Sequence, residues 1–200
     1  MHHNDFRSQI ANHLKAIRKD KGWSLDKTAE ATAVSKAMLG QIERQESSPT
    51  IATLWKIASG LETSFSAFFA TRESLRRSET TFPDDLSMQV KTLFPYSNDT
   101  HMEMFEITLT KFHHQLSSPH AIGVIEHCCV IEGTIELQVG NAVHRLEKGD
   151  SFKFHADQEH SYKAVTETAV FHNIVCYPSM AEFTTPNPRV KPLAKASAPA

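Results

Sequence analysis

Two hydrophobic periods divide the chain. Between residues 5 and 70 apolar side chains recur at helical spacing, and from residue 87 onward they alternate with polar ones as on strands. Ile10, Leu14 and Ile17 share one stripe and predict a first helix, stopped by Lys21-Gly22. Ser24 can cap a second helix ending near Thr32, and Ser35 a third that turns Leu39 and Ile42 inward. Pro49 sits near the start of a fourth, whose apolar face is Leu54, Ile57, Ala58 and Leu61. "SFSAFF" predicts a short fifth helix.

The stretch 71–86 is polar and charged and reads as a linker. Over 87–177 the segments "MEMFEITL", "IEHCCVI", "TIELQV", "AVHRL", "SFKF", "HSYKAV" and "TAVFHNIVCY" are short and rich in β-branched and aromatic residues. Gly133, Gly140-Asn141 and Gly149-Asp150 punctuate them. Many short strands at such spacing predict an antiparallel sandwich or barrel. Residues 178–200 hold five of the nine prolines and read as an extended or disordered tail.

Charge sharpens the division. The net value of -2 conceals 12 Lys+Arg against 8 Asp+Glu in residues 1–77, and the reverse excess beyond, where nine of the twelve histidines also lie. A basic front half permits a nucleic-acid partner. No apolar run approaches the roughly 18 residues of a membrane span, and the start "MHHNDFRSQI" has no apolar signal region, so a cytoplasmic location is expected. Cys128, Cys129 and Cys176 are read as free thiols.

Two short helices joined at Ala33-Val34 form the helix-turn-helix pattern. With Leu39 and Ile42 buried, Lys36, Ala37 and Gln41 face outward together. Gln can pair with adenine, Lys can reach guanine, and Ala can touch a thymine methyl. Ser24, Ser35 and Arg44 suit phosphate contacts. Met38 is expected to be partly buried against the second helix. Around these residues, "GWSLDKTAEATAVSKAMLGQIERQESSPTIATLWKIASGL" resembles the Cro/lambda-repressor (XRE-type) helix-turn-helix family. The resemblance implies a five-helix DNA-binding domain acting as a homodimer on a pseudo-palindromic operator, with an ion pair between Arg18 and Glu43. Leu25 stands where the family often has Gln. Ala33 and Gln45 stand where it has Gly.

"PHAIGVIEHCCVIEGTIELQVGNAVHRLEKGDSFKFHADQEHSYKA" resembles a cupin, a double-stranded β-helix barrel that often encloses a metal. In the first cupin motif His120 takes the leading His position, Ile122 replaces the second His, and Glu126 takes the Glu position ahead of Gly133. In the second, Gly149 and His160 fit, while His155 and Asp157 stand at the Pro and Gly positions. The resemblance implies that His120, Glu126 and His160 hold one divalent metal, zinc by preference since it accepts three protein ligands and an outside donor. A vacant or differently occupied pocket stands beside that reading. Strand alternation turns Cys128 inward with Glu126. His127 and His172 are reserve ligands, and Ile122 is expected to make one pocket wall apolar. His101, His113 and His114 read as surface or loop residues.

The expected fold is α + β in two domains, an all-α five-helix domain followed by an all-β cupin barrel. The expected function is a DNA-binding transcriptional regulator with no enzymatic activity. Its effector, a small molecule of amino-acid or sulfur-compound type, would bind at His120, Ile122, Glu126, Cys128, His160 and His172. Two competing readings are a cupin dioxygenase or isomerase with a DNA-binding appendage, and a protein-binding module of antitoxin type.

Overall fold

The computed structural model describes residues 3–69 and 87–178. The linker expected over 71–86 and nearly all of the proline-rich tail lie outside these residues. Helices α1 (His3–Asp20), α2 (Leu25–Thr32), α3 (Lys36–Glu43) and α4 (Ile51–Gly60) come first, followed by strands β1 (Met88–Ser97) to β9 (Thr168–Cys176). Among the described residues there are four α-helices. The fifth expected at "SFSAFF" is a single 3-10 turn, Ser66–Phe68. Its aromatic residues are buried by packing, and the turn is too short to close an α-helical ring of hydrogen bonds.

The helix starts follow from capping. The hydroxyls of Ser24, Ser35 and Thr50 accept from the backbone N–H of Lys27, Met38 and Thr53, which opens α2, α3 and α4. Gly60 lets α4 meet α2 backbone to backbone, because a Cβ there would lie 2.4 Å from the Ala31 carbonyl oxygen. Ile10, Leu14, Leu39, Ile42, Leu54 and Ile57 fill the space between the helices. Arg18 spans it, with Nε 2.6 Å and Nη2 2.9 Å from the two oxygens of Glu43, and Nη1 donating to the Trp23 carbonyl.

The strands form two antiparallel sheets, β1-β2-β9-β4-β7 and β3-β8-β5-β6. Here β2 is Met102–Thr110, β3 His114–Ser117, β4 Ile125–Glu132, β5 Thr134–Val139, β6 Ala142–Glu147, β7 Ser151–His155 and β8 His160–Ala164. On β2, β4 and β9 burial alternates residue by residue, the period expected of sheets with one face on a core. Strands β1 and β3 were not anticipated. "MQVKTLFPYS" carries two register shifts against β2, which blur its alternation, and β3 has only four residues.

The halves share one core. Trp55 of α4 stacks on Phe65 with ring centroids 3.9 Å apart, and both rings meet Phe105 of β2 edge-on. Glu103 of β2 is fully buried, and its carboxylate accepts from the backbone N–H of Phe65 at 3.0 Å and of Ser66 at 2.9 Å, and from the Tyr177 hydroxyl. Burial pushes this carboxyl above its usual range, against the hydrogen bonds from Ser66, Tyr177 and Phe65 that pull it down.

Candidate functional site

Helix α3 presents the set that the sequence singled out. Ser35, Lys36, Ala37, Gln41 and Arg44 are exposed, while Leu39, Gly40 and Ile42 are buried. Ser24 and Ser35 are N-caps whose hydroxyls accept from the backbone N–H of Lys27 and Met38, which leaves the earlier first-turn N–H groups without an intrahelical partner. Lys36 Nζ lies 2.8 Å from Asp26 of α2, and Arg44 binds both oxygens of Glu46. All four charged groups are more than half exposed, so these pairs contribute little and can exchange partners. Met38 is half-buried and packs against the core.

The second constellation lies at the end of the barrel facing α4. His120, Glu126 and His160 bring one donor atom each within 4.8 Å of one another. Glu126 comes from β4, where alternation turns Glu126, Cys128 and Val130 inward. Its Oε2 accepts from the Tyr162 hydroxyl and from Asn173 Nδ2 at 2.9 Å. Its Oε1 is left to the imidazoles, with His120 Nε2 at 2.6 Å and His160 Nε2 at 3.5 Å. Burial drives the Glu126 carboxyl up, and the bonds from His120 and His160 outweigh it and hold the group well below its ordinary range. Burial lowers the His160 pKa, and the Glu126 carboxylate outweighs that and raises it.

The donor set fits a divalent metal on one further observation. His160 Nδ1 lies 2.9 Å from the Gln158 carbonyl oxygen, which can only accept. In a neutral imidazole this places the lone pair on Nε2, facing the carboxylate oxygen. Two acceptors turned toward each other require a cation or a proton between them. An outer hydrogen bond that fixes the tautomer of a ligand His is the usual support of a metal site.

Three expectations change here. Ile122 is 80% exposed and makes no apolar wall, because the segment before β4 turns its side chain to solvent. His172 lies on the opposite face of β9, 3.4 Å from Glu106, because Ala169, Phe171, Asn173 and Val175 are the inward residues. Cys128 points inward as expected but is fully buried and lines neither cavity described below. His127 also faces away from the triad, with Nδ1 3.9 Å from Cys176 Sγ. His114 is on β3 with Nε2 3.0 Å from the Ser161 hydroxyl, and His101 sits in the β1–β2 turn near the Tyr96 hydroxyl. Sequence reasoning missed Tyr162 and Asn173, which hold Glu126. Asn173 had a signal, since alternation from Phe171 puts it on the core face.

It also missed the contribution of α4. Ser59 Oγ lies 3.1 Å from His120 Nδ1, and the Trp55 ring is 4.9 Å from the imidazole. A cavity of ≈ 90 Å³ beside this contact is lined mainly by apolar groups, including Trp55, Ala58, Ala121, Val124 and Tyr177. A second, of ≈ 350 Å³, has a mixed polar and apolar lining and lies between Ala52 and Lys56 of α4 and the barrel residues Leu116, Ser117, Gln138, Glu159 and His160.

Comparison with known proteins agrees with both halves. A helix-turn-helix family model matches residues 14–68 and a cupin domain model matches residues 114–175. The chain is 45% identical over 170 residues to the HTH-type transcriptional regulator SutR of Escherichia coli (strain K12), covering 84% of this chain and 95% of that protein. It is 62% identical to an HTH_3 family transcriptional regulator from Vibrio cholerae whose crystal structure superposes with a TM-score of 0.82, over 86% of this chain and 97% of that one. The crystallised cupin domain of an XRE family transcriptional regulator from Enterobacter cloacae is 32% identical, with a TM-score of 0.45, over 46% of this chain and 98% of that one.

Proposed function

The chain belongs to the XRE-type helix-turn-helix transcriptional regulators that carry a cupin domain, and from that premise we propose that it reads an operator with α3 and adjusts its affinity through a small-molecule effector in the cupin half. The observation that carries this reading is the packing of α4, an element of the helix-turn-helix half, directly over His120 of the cupin triad. In this reading 5–70 is the DNA-binding domain, 71–86 the linker, 87–177 the sensor and 178–200 a tail. No helix among the described residues is long and apolar enough to cross a membrane.

Each part of the chain has a task in this scheme. Gln41 and Lys36 read base edges, Lys36 after releasing Asp26, and Ala37 contacts a thymine methyl. Arg44, Ser24, Ser35 and the neighbouring N–H groups hold phosphates. Two chains related by a two-fold axis place their α3 helices about 34 Å apart, one turn of duplex. In the cupin half His120, Glu126 and His160 would hold a divalent ion, for which zinc is suited by its tolerance of three protein ligands and an outside donor. Bound there, the ion supplies positive charge and open positions for an anionic group. Tyr162 and Asn173 fix Glu126, and Lys56, which lines the larger cavity with His160, offers a second positive charge. No fourth His, Cys, Asp or Glu joins the three among the described residues, and the proposed role of sensing rests on the similarity to transcriptional regulators.

Operator binding tests the reading. Gln41→Ala and Lys36→Ala should each weaken binding to a selected operator by about 1–3 kcal/mol and relax base preference, while Arg44→Ala should weaken all sequences alike. Footprints should show two half-sites in inverted repeat. Equal loss on specific and random DNA for Gln41→Ala, or a protein monomer on a single half-site, would overturn it.

A further inference from the structure

The Ser59–His120 contact crosses from one half of the molecule to the other, at the side of the imidazole that the triad does not use. His120 Nε2 faces Glu126, and Nδ1 faces Ser59 of α4. His120 is nearly buried, its side chain 5% exposed, and Ser59 is the hydrogen-bond partner that the helical half supplies to it. We propose that Ser59 is a positioning residue of the cupin metal centre, so that metal binding at the triad and docking of α4 on the barrel are one linked equilibrium. The proposal rests on the regulatory reading above and names the residue through which it operates.

The chemistry of the serine hydroxyl supports this. In a neutral imidazole whose Nε2–H donates to Glu126, Nδ1 carries the lone pair and the Ser59 hydroxyl can donate to it. With a metal held at the triad, Nε2 would offer its lone pair and the ring N–H would lie at Nδ1, donating a hydrogen bond to Ser59 Oγ. A hydroxyl serves both tautomers by rotating its hydrogen, and the N–H of an imidazole polarised by a bound cation would be the stronger donor, so the Ser59 contact that docks α4 would be firmer with metal than without. Outer hydrogen bonds of this type are typically worth 10–100-fold in metal affinity. What is unusual here is that the partner belongs to the DNA-binding half.

The adjoining residue carries any shift of α4 onward. Gly60 packs against the end of α2 with no room for a Cβ, since Ala31 O, Thr32 Cα and Ala31 C all lie within 2.8 Å of where one would stand. Helix α2 in turn packs on α3 through the turn at Ala33. A metal that favours one placement of Ser59 thus favours one placement of the recognition helix. By reciprocity, DNA that favours that placement tightens metal binding by the same factor.

The test uses the full-length protein, Co²⁺ as the probe, and the isosteric pair Ser59→Thr and Ser59→Val. Thr keeps the hydroxyl, and Val has the shape of Thr without it, so the two variants differ at this position in the hydrogen bond alone. Wild type and Ser59→Thr should bind Co²⁺ with matching visible spectra and affinities. Ser59→Val should bind about 10–100-fold more weakly with an altered spectrum. Its metal-dependent change in operator affinity should shrink. A merely structural role would lower the unfolding temperature of the metal-free variants while leaving the cobalt spectrum unmoved. Equal Co²⁺ affinity and spectrum in the Thr and Val variants would overturn the proposal and leave the regulatory reading standing. Failure of the wild type to bind Co²⁺ would remove the metal centre and the proposal together.

Discussion

Ala33 and Gln45 hold left-handed backbone, with φ of 52° and 63°, at two positions where the resemblance leads one to expect glycine. An L-residue pays about 1–2 kcal/mol for that conformation, and both side chains are exposed with no packing to lose. Ala33→Gly and Gln45→Gly should therefore each stabilise the protein, by about 1 kcal/mol less the added flexibility of the unfolded chain. Urea unfolding would show higher midpoints at unchanged slope. Lower midpoints for both would mean that the turns are held by something other than local backbone preference. At this scale the sequence was informative about roles that follow from motif spacing. His120, Glu126 and His160 do converge. It was uninformative where the motif position falls in a loop. Ile122 occupies a ligand position by counting, but no pleat fixes its direction, and it faces water. His172 failed for a different reason. A single residue of parity on β9 separates it from Asn173, and one step in a strand changes the face.

Elements with a sharp chemical stop or start were legible, and those shaped by partners were not. The starts of helices α2 and α3 follow Ser24 and Ser35 directly, because the cap hydroxyl is a local device. Strand β3 and the 3-10 turn depend on what lies against them, the first on β8 and the second on Glu103. The Arg18–Glu43 pair ties α1 to α3 with two charge-assisted bonds, and its side chains are 14% and 8% exposed. The bidentate geometry and limited hydration set it apart from exposed pairs, which contribute about 0–1 kcal/mol. A double-mutant cycle of Arg18→Ala and Glu43→Ala should give a coupling above about 1 kcal/mol. Each single change should cost more than the coupling. Arg18→Ala also orphans the Trp23 carbonyl, and either change leaves a charge with little solvent to receive it. Coupling near zero would assign the pair to orientation alone.

The change in hydrophobic period announced two halves but gave no hint that they share a core. That union depends on Glu103, which shares the inward face of β2 with Phe105, Ile107 and Leu109, while the donors that meet it come from segments far away in the sequence. Its neighbours explain its burial. The chain at Phe65 and Ser66 turns two backbone N–H groups toward β2, and Tyr177 adds a hydroxyl, so three donors converge on one carboxylate. Ser66 returns the contact by accepting from the backbone N–H of Tyr96. Glu103→Ala strands those donors in a region closed to water, at about 1–3 kcal/mol for each one left unpaired. Glu103→Gln keeps one acceptor oxygen but turns an NH₂ group toward a donor, so its effect should be smaller than that of Ala and still unfavourable. The donors at 65 and 66 belong to the helical half, and most of the strand pairing lies elsewhere in the sheets. Loss of Glu103 should therefore weaken the junction more than the barrel. Calorimetry should show one transition in the wild type. In Glu103→Ala it should split, with the helical half unfolding first and the barrel transition close to its original temperature. Because α4 lies over His120 only while the junction holds, the same variant should lose the metal dependence of operator binding while its barrel stays folded. A single transition shifted downward as a whole would show instead that Glu103 stabilises both halves as one cooperative unit.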